Sequence, residues 1–296
     1  MFGRVMMLTV VAAVFAGDAW SGKIPTGRLD SIHILGVFSQ FGDQAEIKKV
    51  GVTVFGNKLT YLPIADWNIN ELVITEVDHA LAGRYIIQVA PLGMSIYKAD
   101  KKPDLRGFFK PRESPFLALP GLDAYLVFQP ATEAFPYPSN QSVSGLGMLH
   151  DHRANSDIPG TEPTSAFGFD LRTHKSGVVY AIYDIYLVDA KSGDIIALQE
   201  AMIPTQYKQT LGQVFLYGQP YEPVRYPHPH QFVHDDIWSD TADALTDTQK
   251  KMFRDILTDL IKQSVSYSLG AMGLTDTRRD PAGADQSKPT APVALN

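Results

Sequence analysis

Residues 178–189 read VVYAIYDIYLVD, and this run constrains the fold more than any other feature of the chain. Val, Ile and Tyr dominate it, and their branched or flat side chains suit a pleated surface. Ala190-Lys191-Ser192-Gly193 supplies a turn, and Asp194 to Ile203 (DIIALQEAMI) returns as the second strand of a hairpin. A β-sheet is therefore the minimum that the fold contains.

The remaining elements fit around that hairpin. Ser31 to Ser39 and Ile47 to Phe55 read as strands, and Phe41-Gly42-Asp43 between them predicts that they pair as a second hairpin. Gly56-Asn57 ends the run. Asn68 to Gly83 reads as a helix, with Ile69, Leu72, Val73, Val77, Ala80 and Leu81 at helical spacing. Asn68 or Asn70 is expected to cap it, and Gly83 sits where a left-handed residue closes a helix. Tyr85 to Val89 follows as a strand. Leu122 to Gln129 reads as a central strand, apolar on both faces. Leu245 to Met272 is the strongest helix, and Thr246 with Gln249 fits a capping box. The fold class expected is α/β (α+β): a mixed sheet of about six strands with helices packed on it. Two long irregular insertions, 130–165 and 204–240, interrupt it, and 91–120 reads as a modestly basic, solvated loop.

Composition narrows the function classes. Asp and Glu number 32 against 26 Lys and Arg, so the basic excess of a general nucleic-acid binder is missing. There is no cysteine, which excludes disulfides, thiolate metal sites, Cys nucleophiles and thioether lipid anchors. Residues 1–16 (MFGRVMMLTVVAAVFA) carry Arg4, then an uncharged apolar run, then Val14 and Ala16 at the -3 and -1 positions of a cut. That is the pattern of a secretory signal peptide. The run is shorter than the roughly 20 residues of a membrane span. The organisation expected is signal peptide 1–16, linker 17–29, one domain over 30–274 and a disordered tail over 275–296. A periplasmic or secreted location follows, with no integral membrane segment in the mature chain.

Three passages carry a family resemblance. Ala80-Leu81-Ala82-Gly83-Arg84 closes the first helix before Tyr85–Val89; Asp123-Ala124-Tyr125-Leu126-Val127 forms a strand; Tyr186-Leu187-Val188-Asp189 runs through Ser192-Gly193-Asp194-Ile195-Ile196 as a hairpin. Together they resemble the α/β domain of curli-secretion-type lipoproteins and of outer-membrane lipoprotein activators of peptidoglycan synthases. The amino-terminal domain of the Tol-system periplasmic β-propeller protein shares it. The likeness spans most of 30–274 and is specific over roughly 35 residues of motif. It implies an envelope accessory domain without catalytic residues, and it transfers no site residues. The lipid-bearing cysteine of those lipoproteins is missing, and the two insertions are longer.

Histidine is the one chemical lead. His150 and His152 lie on the first insertion, and His228, His230 and His234 on the second. Residues i and i+2 of an extended segment point the same way. His228 and His230, with His234, Asp235 and Asp236, are therefore candidate ligands for Zn²⁺ or a similar ion, and His150-Asp151-His152 repeats the geometry. If the insertions meet, a hydrolytic metal centre is chemically feasible. The competing reading is an aromatic, proline-rich surface loop around Tyr217, Tyr221, Tyr226, Phe232 and Trp238. His33 reads as a buried strand imidazole. Asp184, alone among apolar neighbours, reads as solvent-facing with Tyr180 and Tyr186, or else as a polar anchor in a groove. The function expected is an exported, non-catalytic envelope accessory protein without a cofactor. It binds an envelope partner through 130–165 and 204–240; the alternative is the metal-dependent hydrolase.

Overall fold

The computed structural model describes residues 24, 26–51, 54–89, 96–98, 114–135, 141–151, 176–203, 215–216, 219–220, 229–234 and 239–275. In chain order these form α1 (Thr26–Leu29), β1 (Ile34–Ser39), β2 (Gln44–Val50), β3 (Lys58–Pro63), α2 (Ile69–Leu81), β4 (Ile86–Val89), β5 (Ala124–Pro130), β6 (Thr132–Phe135), β7 (Gln141–Asp151), β8 (Ser176–Asp189), β9 (Ile195–Glu200), β10 (Phe215–Leu216), β11 (Gln219–Pro220), β12 (His230–His234) and α3 (Asp247–Ala271). The fold is α/β with a mixed sheet. Ten strands join that sheet rather than about six, and β10 with β11 forms a separate small pair.

β8 is the spine. Its residues 183–189 pair antiparallel with β5, and its residues 176–182 pair antiparallel with β7. Both partners lie along the same edge: the Ala131 N–H donates to the Ile182 carbonyl, while Gly145 stands opposite Ile182. On the other edge β9 pairs with the lower half and β12 with the upper half. The Ala201 N–H bonds the Tyr183 carbonyl there, and the Ala181 N–H bonds the Pro229 carbonyl. One row further out, β1 runs parallel to β5 and β2 parallel to β7. β4 flanks β1, and β3 flanks β2. The sheet thus has two halves that share β8 and meet at a seam level with Ile182 and Tyr183.

This arrangement overturns the expected hairpin between the first two strands. β1 and β2 do not pair; they run in one direction, end to end, beside β5 and β7. The reason lies in the residues between them. Phe41 is core, 4% exposed, and meets the Tyr183 ring edge-on at 5.1 Å. Asn70 binds the interruption: its Oδ1 accepts the Ser39 hydroxyl at 2.8 Å and the Phe41 N–H at 3.0 Å, and its Nδ2 donates to the Phe41 carbonyl at 2.9 Å. Asn70 therefore pins the seam and caps nothing, and Asn68 makes no side-chain cap bond either.

Helices α2 and α3 cover one face. Val73, Val77 and Leu81 from α2, and Phe253, Leu257, Ile261, Val265 and Leu269 from α3, pack on inward residues such as Leu35, Ile47, Leu126, Met148, Val179 and Leu187. α3 starts with the expected capping box, Thr246 and Gln249 bonding reciprocally. Its apolar stripe contains two buried serines. Ser264 shares a 2.6 Å hydrogen bond with the Tyr183 hydroxyl, and the Ser268 hydroxyl accepts the Met202 N–H at 2.9 Å. Ile24 and Leu29, from the segment expected to be a linker, also enter this core. Among the described residues no helix is long and apolar enough to cross a membrane. The signal-like residues 1–16 and the tail beyond 275 lie outside the described residues.

The opposite face is also covered. Ile96, Phe116 and Leu119, from the ends of the expected solvated loop, bury Phe38, Tyr125, Val127 and Val188. Val50, Val143, Leu149, Val178, Tyr180 and Ile182 form a second cluster on the other half. Parts of the two expected irregular insertions are strand: β6 and β7 in the first, β10, β11 and β12 in the second. Glycine and serine disguise β7 in the sequence, and the glycines have a packing reason. The Tyr180 ring crosses Gly147 to donate from its hydroxyl to Glu46 Oε2 at 3.0 Å. A Cβ on Gly147 would lie 2.3 Å from that hydroxyl and 2.6 Å from the Glu46 carbonyl oxygen.

Gly147→Ala is expected to lower stability by about 1–3 kcal/mol, the usual cost of overpacking, read as a lower urea midpoint with unchanged slope. Asn70→Ala takes three hydrogen bonds from the seam and is expected to cost about 2–3 kcal/mol. Faster amide exchange in 39–44 than in β8 is the accompanying signature.

Candidate functional site

The sheet decides which histidines can meet. Partners opposite each other in an antiparallel ladder share a face. His150 stands opposite Gly177 and so projects to the helix-covered face, where it is 4% exposed. Its Nδ1 lies 3.6 Å from Asp240 Oδ1, and Lys49, level with it on β2, also pairs with Asp240. His230 stands opposite Tyr180 and belongs to the other face. Strand spacing and rise put the two backbones roughly 14 Å apart. The sheet therefore separates His150 from His230 rather than joining the two insertions in one centre. His234 occupies the β12 position opposite Ser176. His152, His228, Asp235 and Asp236 lie outside the described residues. Among the described residues no group of three or more His, Cys, Asp or Glu is placed to hold a metal ion. His33 is exposed and precedes β1, contrary to the buried imidazole expected. Its backbone N–H and that of Ile34 donate to Asp123 Oδ2 at 2.9 and 3.0 Å, and these bonds, that from Ile34 foremost, hold the Asp123 carboxyl below the usual range.

A different set of polar groups converges at the seam, on the face away from the helices. Gln129, Asp184 and Glu200 stand side by side on β5, β8 and β9. Glu133 on β6 approaches closely enough to interact electrostatically with Asp184 and Glu200. The Tyr186 hydroxyl lies 3.4 Å from Asp184 Oδ2. The Tyr97 hydroxyl lies between the Gln40 and Gln129 side-chain amides, at 2.5 and 2.8 Å. Gln129 is only 3% exposed.

Burial dominates the electrostatics of this row. Desolvation, helped by Glu200 and then Glu133, raises Asp184 from the ordinary aspartate value to about 7, against a smaller opposing bond from Tyr186. Burial raises Glu200, and burial with the nearby Glu200 raises Glu133. The Tyr97 phenol is pushed up to about 12 by burial, and Tyr186 is raised by burial and by Asp184. Asp184 does lie on the face of Tyr180 and Tyr186, as alternation requires. That face is covered rather than solvent-facing, and Tyr180 is fully buried.

Sequence reasoning found Asp184 and missed its neighbours. The hairpin register carries the signal for Glu200, which falls opposite Asp184. Glu133, Gln40 and Tyr97 arrive from segments distant in sequence. Two shallow concavities are present, the first at the seam beside Phe41, Pro130 and Gly145 and the second by the edge strand β4. The first, about 230 Å³, also lies beside Glu46, Tyr61 and Ser144; the second, about 330 Å³, beside His33, Arg84 and Ile86. No protein family, curated protein or solved structure matches the chain.

Asp184 generates a pH prediction. Between about pH 4 and 7 the native chain keeps a proton that the unfolded chain has released, so stability falls as pH rises through that window. Above about 7 this loss is complete and the curve levels. Asp184→Asn is expected to flatten the slope and to raise stability at pH 8 by roughly 2–4 kcal/mol. Urea titrations at pH 5, 6, 7 and 8 check both.

Proposed function

We propose that the protein is an exported cell-envelope accessory protein that binds a protein partner, without catalysis, through 130–165 and 204–240. One observation carries the reading: the roots of both insertions meet at Asp184. Glu133 is the fourth residue of the first, on β6, and Glu200 closes the strand before the second. Their raised carboxyls are mutually repelling acids held close together. A partner that presents a cationic group there relieves that repulsion and engages both insertions at once. The signal-like start supports export, and the resemblance over Asp123–Val127 and Tyr186–Ile196 supports an accessory role. Tyr217, Tyr221 and Tyr226 supply aromatic side chains of the kind that dominate interfaces.

A photoreactive residue at Tyr221 or Tyr226 is expected to capture one discrete partner from the envelope. The same residue at exposed Tyr267 on α3 is expected to capture none. Mass spectrometry of the exported chain is expected to find Gly17 at its amino terminus. An uncut chain retained in the cytosol, or no product from either tyrosine, defeats the reading.

A further inference from the structure

The β2–β3 hairpin ends in an apolar tip. Phe55, in the turn Val54–Gly56, is 95% exposed. Gly51 and Gly56 pack backbone against backbone at its base. A Cβ on Gly51 would lie 2.5 Å from Gly56 Cα, and Asn57 Oδ1 accepts the Gly51 N–H at 2.9 Å. Behind the tip, Leu59 and Tyr61 on the outer strand are 45% and 50% exposed.

The neck of the same hairpin is basic. Lys49 and Lys58 stand directly opposite each other, and Lys48 stands opposite Leu59. Like charges in register weaken a strand pair. Asp240 neutralises Lys49, while Lys48, with its ammonium on the Ser142 carbonyl, and exposed Lys58 stand on opposite faces of the hairpin and place a lysine on each side behind the tip. Lys58 and Pro63 at the two ends of β3 are the residues that discourage addition of a further strand. A protruding aromatic with lysines at its base instead complements an anionic bilayer. The ring enters the acyl boundary, the tyrosine sits at headgroup level and the ammonium groups meet phosphate.

We propose that the β2–β3 hairpin docks the protein on an anionic phospholipid surface, with Phe55 inserted and Lys48 and Lys58 against the headgroups. Flotation of the purified chain involves no protein partner, so its outcome is independent of the partner reading.

The test is flotation of the full chain with vesicles of phosphatidylcholine alone, and of phosphatidylcholine with phosphatidylglycerol. Flotation is expected with the anionic vesicles only, and added salt is expected to release the protein. Lys58→Glu is expected to weaken partition onto the vesicles by about fivefold or more, the worth of one charge near the surface, and Phe55→Ser by about tenfold or more, the worth of one apolar side chain taken out of water. Phe55→Ser changes a side chain that is almost wholly exposed, so the fold is retained. Phe55→Trp is expected to shift its emission to the blue on contact with anionic vesicles. No flotation of the unaltered chain overturns the proposal. So does flotation that Phe55→Ser leaves undiminished, or equal flotation on both compositions.

Discussion

The structure depends on keeping both faces of one 14-residue strand out of water. β8 is apolar along almost its whole length, and every large element answers to that. Two helices fill one face, and short segments around Ile96 and Phe116, with the cluster around Val143 and Leu149, fill the other. The strands flanking β8 are broken at one level, so β5 gives way to β7 and β9 to β12. Tyr183 marks that level on the helix side. Its ring meets Phe41 and Phe128, and its hydroxyl is satisfied by Ser264, so a large buried phenol costs nothing unpaired.

The seam is where this packing admits polar groups. On the helix side Asn70, Ser264 and Ser268 satisfy backbone and side-chain groups that broken strands leave open. On the other side the row of Gln129, Asp184 and Glu200 has amide and phenol neighbours among the described groups, and burial raises both carboxyls above their ordinary range. A carboxylate partly removed from water and facing other carboxylates is costly to ionise, which is why its titration moves upward. Such a row is a local weak point in the core, placed between the departures of the two insertions.

The exposed apolar groups lie elsewhere. Phe55, Leu59 and Tyr61 crowd the β2–β3 hairpin, while Ile86 and Val89 sit on β4 at the far margin. The molecule thus separates two kinds of surface. An electrostatically strained one at the seam suits a cationic partner, and an apolar, lysine-flanked one at the hairpin tip suits lipid.

The sequence by itself determined the local pieces. The β8–β9 hairpin, the two helices, the capping box at Thr246 and the left-handed Gly83 follow from periodicity and turn chemistry within a few residues of chain. It also marked Asp184 as an intruder in an apolar run, and the hairpin register places Glu200 beside it. Only the tertiary structure decided what those pieces meet. Phe41-Gly42-Asp43 has the composition of a turn, yet Asn70 and Tyr183 hold it as a joint between collinear strands. Gly145 and Gly147 lower strand propensity locally, yet β7 is central because Tyr180 needs the space above Gly147. His150 and His230 look alike in sequence, yet the parity of their ladder positions sends them to opposite faces. Propensity is a property of neighbours along the chain, whereas pairing register and burial are set by residues dozens of positions away.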